Sequence, residues 1–238
     1  MAMRRLVLWD IDGTLVSTGQ LGRDAFSEAF QVVIGRAPQR GAEAMVEMAG
    51  RTDHEIALEF LALHEIDGHA HLPAFSDALA AALAAKEAEI RTVGKALPGA
   101  EAALAAVGRS PGVVQSLLTG NIEPNAAVKL AAFGLEAYLD FDVGGFGSDD
   151  PHRPNLVAVA RRKAKQKYGI EFDPATTVLV GDTPLDVAAG IQGGARVVAV
   201  ATGPFGPEQL HAAGAEVVLP DLRDTAAVLD AVLERERT

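Results

Sequence analysis

Five short, continuous apolar runs, each closed by Gly or a polar residue, constrain this chain more than any other feature of its sequence. They are RLVLWD (5–10), GVVQSLLTG (112–120), TTVLVGD (176–182), ARVVAVATG (195–203) and AEVVLPD (215–221), with the weaker LDFDVGGFG (139–147) as a sixth. A strand with one wet face alternates polar and apolar residues. A run that is apolar throughout is buried on both faces, as in a parallel sheet covered by helices. Helical patterns fill the gaps at 97–108, 123–134, 153–169, 184–194 and 206–214. This alternation predicts a doubly wound, Rossmann-like α/β fold with a parallel sheet.

The rhythm fails between about 17 and 94. That interval holds no convincing strand, and GRDAFSEAFQVVIG, RTDHEIALEFLALHEI and SDALAAALAAKEAEIRTVG all read as amphipathic helices. A helical insert, 17–94, is therefore expected after the first strand, with a core made of 1–16 and 95–238 that resumes at Leu97-Pro98-Gly99.

Charge and composition remove several function classes. The net charge of −11 gives nucleic acid no basic footprint. No apolar stretch nears the roughly 20 residues of a membrane span, and MAMRRLVLWD reaches an Asp after four apolar residues, too few for a signal peptide. With no Cys, disulfides, thiolate metal sites and a Cys nucleophile are excluded. The expectation is a soluble, cytoplasmic protein, monomer or homodimer, with no nucleic-acid or membrane partner.

Ligands of open α/β sheets bind beyond the carboxyl ends of the strands. Those ends carry Asp10, Asp12, Gly13 and Thr14 on the first run, Thr119, Gly120 and Asn121 on the second, and Asp182 and Thr183 on the third. In extended chain Asp10 and Asp12 share a face with Cα atoms roughly 6–7 Å apart, room for a phosphoryl group or a metal. One carboxylate can attack phosphorus while the other handles the proton. Equally, D-x-D-G-T can be a strand end entering a turn. Thr119 offers a hydroxyl beside open backbone N–H groups, a phosphate cradle or a plain Gly-Asn turn. In GDTPLD, Thr183 falls at a helix N-cap, Pro184 at N1 and Asp186 at N3, where a capping box explains Asp186. Asp182 has no such local role, and with Asp10 it suits Mg²⁺. Arg153 stands at a helix start, where a cation is disfavoured unless an anion is near; a surface Arg is the alternative.

DIDGT (10–14), LLTGN (117–121), a basic residue before Pro at 153–154 and VGDTPLD (180–186) follow the order and approximate spacing of the four motifs of the haloacid dehalogenase superfamily. The chain resembles its phosphoglycolate phosphatase-like branch over nearly its whole length, with the insert similar to that branch's cap domain. The resemblance implies Asp10 as nucleophile and Mg²⁺ ligand, and Asp12 as general acid/base and backbone carbonyl ligand. It further implies Thr119, with Gly120 and Asn121, as the phosphate clamp. Asp182 is a metal ligand by the same resemblance, Asp186 supports the metal directly or through water, and Arg51 in AGRTD (49–53) contacts the substrate's anion. The family's third motif usually supplies Lys; here Arg153 takes that place with a planar fork instead of a compact ammonium. The activity implied is Mg²⁺-dependent hydrolysis of a small phosphorylated metabolite through an aspartyl-phosphate. A phosphoglucomutase-like transfer and a catalytically silent phosphate-binding protein are the alternatives.

Overall fold

The computed structural model describes residues 4–233. The chain opens with β1 (Arg5–Trp9) and β2 (Val16–Ser17), then runs through α1 (Leu21–Ile34), α2 (Ala42–Met45), α3 (Asp53–Ala62), α4 (Gly68–Ala85) and α5 (Glu87–Val93). It returns through β3 (Lys95–Ala96), α6 (Ala100–Gly108), β4 (Val113–Thr119), α7 (Glu123–Ala131), β5 (Gly145–Phe146) and α8 (Asn155–Tyr168). It closes with β6 (Thr177–Gly181), α9 (Pro184–Gly193), β7 (Arg196–Val200), α10 (Pro207–Ala212), β8 (Val217–Leu219) and α11 (Thr225–Leu233).

Six strands form one sheet in the order β5-β4-β1-β6-β7-β8, every pair parallel. The unbroken apolar run of β1 is explained by where its side chains go. Val7 and Trp9 enter a cluster with Leu104, Leu130 and Val228 of α6, α7 and α11. Leu6 and Leu8 enter another with Leu156, Val157 and Ala189 of α8 and α9. All four β1 residues are fully buried, each contributing about 1.5–3 kcal/mol relative to exposure, so the register of this strand is strongly fixed. From β1 the chain goes first to β4 on one side and later to β6 on the other. The ends of β1, β4 and β6 thus meet where the winding reverses, the position at which such sheets bind ligands.

The sixth expected strand shrinks to Gly145–Phe146, because a 3₁₀ turn at Phe141–Val143, capped by Asp140, occupies the middle of that run. A helix after the last strand, α11, adds to the expected set. In the insert, α4 starts at Gly68, eight residues before the expected Ser76, because Asp67 caps it by accepting from His69 N–H.

The chain leaves and re-enters the sheet side by side: β2 and β3 pair antiparallel, Val16 with Ala96 and Ser17 with Lys95. Between them α1, α3 and α4 enclose a separate apolar cluster around Phe26, Phe30, Phe60 and Phe75. Ile122, at the start of α7, joins that cluster and ties the helical layer to the sheet layer.

Candidate active site

β1 delivers Asp10 to the sheet edge, and the tight turn after it sends Asp12 to the neighbouring wall. Gly13 holds this turn at φ +84°, and a Cβ there would lie 2.3 Å from Asp182 Oδ2, so both conformation and space require glycine. Asp182 follows β6 and is 1% exposed; Thr14 donates to its Oδ1 at 2.9 Å.

Asp186 takes the capping role its position allowed and, with its second oxygen, a partner the sequence did not assign to it. Its Oδ2 accepts from Thr183 N–H at 3.0 Å, closing the capping box of α9, while its Oδ1 accepts from Arg153 Nη2 at 2.5 Å. Arg153 Nη2 also donates to Asp10 Oδ1 at 2.7 Å. Arg153 is therefore no surface residue: it is 7% exposed and clamped between two buried carboxylates.

Asp10, Asp182 and Asp186 present oxygens within 4.8 Å of one another. Burial raises the Asp10 carboxyl to about 7, the charge of Asp186 adds to this, and Arg153 opposes it. Burial raises Asp182 to about 9, reinforced by Asp186 and Asp10 and opposed by the Thr14 hydrogen bond. One guanidinium thus faces three buried carboxylates. An all-oxygen set with this excess of negative charge fits a divalent cation of the Mg²⁺ type.

Thr119 ends β4. Its hydroxyl accepts from Asn121 Nδ2 at 2.8 Å and from Asn121 N–H at 3.3 Å, and the chain bends through Gly120 and Asn121. Gly120 is required by the helical layer: a Cβ there would lie 2.0 Å from the Arg51 carbonyl oxygen. Asp53 N–H donates to the Gly120 carbonyl at 2.7 Å. The Asp53 carboxylate accepts from Ile122 N–H at 2.9 Å and Asn125 Nδ2 at 3.0 Å.

These residues line one cavity of about 270 Å³ between the strand ends and the helical layer. Asp10, Asp12, Thr119, Gly120, Asn121, Arg153 and Asp182 form its floor; Gly22, Arg23, Phe26, Met48, Arg51 and Ile56 form its roof. Every candidate from the sequence lines it except Asp186, which stands behind Arg153. Arg51 reaches it, but its guanidinium is bound to the Glu59 carboxylate and to the Glu47 carbonyl at 3.1 Å. Two cationic side chains of the cavity escaped the sequence reading, Arg23 on α1 and Lys129 on α7. The signal for Lys129 was present: Asn125 and Lys129 are polar, four apart, and flanked by Ala and Leu in a helix that buries that face. Four carboxylates and four cations line the cavity, so it does not share the acidity of the whole chain and an anionic ligand can enter.

A covered parallel sheet with carboxylates on adjacent strand ends and a helical layer above them defines an α/β enzyme with its site at the winding reversal. The chain belongs to the haloacid dehalogenase-like hydrolases, whose family model matches residues 7–190. A probable phosphatase, IndB, of Dickeya dadantii is 27% identical over 241 residues, covering 98% of this chain and 96% of that protein. A plasmid-encoded phosphoglycolate phosphatase of Cupriavidus necator is 34% identical over 145 residues, covering 58% of this chain and 57% of that one. The crystal structure of CbbY from Rhodobacter sphaeroides in complex with phosphate superposes with TM-score 0.72 at 22% identity, covering 95% of this chain and 99% of that one. Among the described residues no helix is long and apolar enough to cross a membrane.

Proposed function

We propose that this hydrolase is a Mg²⁺-dependent phosphatase of small phosphate monoesters, with Asp10 as nucleophile, Asp12 as general acid and base, and residues 17–94 as a lid over a core of 1–16 and 95–238. The observation that carries the reading is the split of labour between the two aspartates of β1. Asp10 is 5% exposed and tied by one oxygen to Arg153, whereas Asp12 is bound to Lys129 and Asn121 on the adjacent wall.

With Oδ1 held by Arg153, Asp10 attacks phosphorus through Oδ2. An O–P bond forms to Asp10 as the bond to the leaving oxygen breaks, and Asp12 gives that oxygen its proton. Asp12 then takes a proton from a water that attacks the aspartyl-phosphate; the Asp10–phosphorus bond breaks and phosphate leaves. Thr119, Gly120 and Asn121 hold the phosphoryl oxygens, and Arg153 keeps the nucleophile oriented. Asp10, Asp182, Asp186 and the Asp12 carbonyl would hold Mg²⁺, which would supply positive charge to the phosphoryl oxygens. The roof shields the reacting atoms from bulk solvent while leaving room for the hydrolytic water beside Asp12. Small phosphorylated metabolites fit the cavity volume, and the phosphatase names of the relatives support the reaction class.

The test is phosphate release over a panel of small phosphorylated acids, sugars and nucleotides, with Mg²⁺ and with chelator. Asp10→Asn should fall by several orders of magnitude; undiminished turnover in that variant or in excess chelator ends the aspartyl-phosphate reading. Transfer to a sugar hydroxyl without phosphate release would make the chain a mutase. As an independent check, Mg²⁺ at about a hundredfold its Kd should stabilise the fold by about 2.7 kcal/mol, roughly 5–10 °C in Tm. Asp182→Asn should abolish that shift.

A further inference from the structure

Lys129 belongs to none of the four motifs, yet its side chain is 9% exposed and inserted into the site wall. Its Nζ donates to Asp12 Oδ2 at 2.7 Å and to Asn121 Oδ1 at 2.7 Å. Asn121 Nδ2 donates to the same Asp12 oxygen at 2.8 Å, so Lys129, Asn121 and Asp12 close a three-membered ring of hydrogen bonds. Both bonds to Asp12 fall on Oδ2, which leaves Oδ1 for the reacting oxygens.

Stability alone does not call for this lysine. Burying an ammonium costs several kcal/mol, recovered only through well-formed partners. The Asp12 side chain is 44% exposed and open to cavity water, so it does not need a buried cation to be solvated. The neighbouring buried positions of α7 are filled by Ala126 and Leu130. An apolar residue at 129 would complete that face, but it would leave Asp12 Oδ2 held by Asn121 alone, and Asn121 Oδ1 without its own partner.

The helix carrying Lys129 is itself fixed at its other end. Asp53 of the roof takes hydrogen bonds from Ile122 N–H and Asn125 Nδ2 at the start of α7. One face of α7 therefore joins the roof to Asp12.

We propose that Lys129 is a positioning residue: with Asn121 it pins one oxygen of Asp12 and so aims the other at the leaving oxygen and, in the second half-reaction, at the attacking water. This rests on the phosphatase reading above. The chemistry supplies a readout that a merely structural lysine does not move. An alkoxide needs the Asp12 proton to leave, whereas 4-nitrophenolate leaves without it. Hydrolysis of the aspartyl-phosphate needs Asp12 for either substrate.

The experiment is rapid-quench kinetics on Lys129→Met with 4-nitrophenyl phosphate and with the alkyl phosphate that the parent turns over fastest. Nitrophenolate release in the first turnover should stay within about threefold of the parent. Phosphate release and alkyl ester cleavage should each fall about a hundredfold, the low end of what a positioned acid–base group contributes. The variant should then show a nitrophenolate burst. Lys129→Arg should recover part of the loss, and Lys129→Met in an Asp12→Asn background should cost nothing further, as expected of groups acting as a unit. If Lys129→Met does not fold by thermal melt, Lys129→Gln is read in the same way. Equal losses for both leaving groups and both half-reactions, in the presence of an active parent, overturn the role of Lys129 alone. An Arg variant no better than Met does the same. A parent that cleaves neither ester overturns the phosphatase reading and this proposal with it.

Discussion

The floor and the roof of the cavity hold their charges in opposite ways. On the floor Arg153 and Asp10, with Asp186 behind them, are almost fully buried and linked at 2.7 and 2.5 Å. On the roof the Arg51–Glu59 pair is 23% and 41% exposed, and Arg23 donates to the Val46 carbonyl at 3.0 Å. Buried pairs are costly to break because the survivor is stranded in a low-dielectric site. Exposed pairs are screened and worth little. Breaking a contact of the floor therefore strands charge in the sheet layer, whereas contacts of the roof can change without unfolding the sheet.

The largest effect is expected from removing the cation of the floor. Arg153→Ala should lower kcat by about 10²- to 10³-fold, the usual loss for a single electrostatic contact at a reacting group. It should also destabilise the protein by about 3 kcal/mol, because Asp10 and Asp186 lose their shared partner. Arg153→Lys should restore part of both. Steady-state kinetics with urea melts check this; full activity in Arg153→Ala would mean that the floor draws its positive charge elsewhere.

A smaller effect is expected on the roof, and it should depend on the substrate. Arg23→Ala should reduce kcat/KM for a carboxylated phosphate ester by about 1–2 kcal/mol, roughly five- to thirtyfold, and hardly touch an aryl phosphate. Arg51→Ala should cost less, since Glu59 already holds its guanidinium. The reverse order would show that Arg51 releases Glu59 to meet the substrate.

The smallest effect lies at the seam. Burial raises the Asp53 carboxyl above its ordinary value, partly offset by the charge of Lys129 and by the Ile122 and Asn125 hydrogen bonds. A raised carboxyl favours the fold fully at pH below the unfolded value, and that contribution is lost as pH rises through the folded value. Asp53→Asn accepts the same two hydrogen bonds without a charge. Relative to the parent it should therefore gain stability as pH rises from about 4 to 8, by an amount on the order of 1 kcal/mol. Urea melts across that range test this, and a difference that stays flat with pH would show that Lys129 compensates the buried charge in full.

Much of the fold was legible because burial on two faces leaves a local trace. The runs at β1, β4, β6, β7 and β8 all became strands, and GDTPLD became a capped helix start. The run at 139–147 gave only the two-residue β5, since its three glycines and its aspartates suit turns as well as a strand. α4 began earlier than its apolar period suggested, because a single cap at Asp67 outweighed the weak pattern of GHAHLPAF.

The layered α/β architecture, the helical insert after the first strand and the set of strand-end carboxylates were all readable from the chain, since each follows from residues within a few positions of one another. Which charges meet is settled by packing. Arg153 and Asp10 lie 143 residues apart, and Lys129 and Asp12 lie 117 apart. Whether a helix turns a cation toward the site or toward water depends on how its apolar face docks on a sheet assembled from distant segments. Local periodicity fixes that face only to within a turn, and a salt bridge of 2.7 Å is decided within that margin.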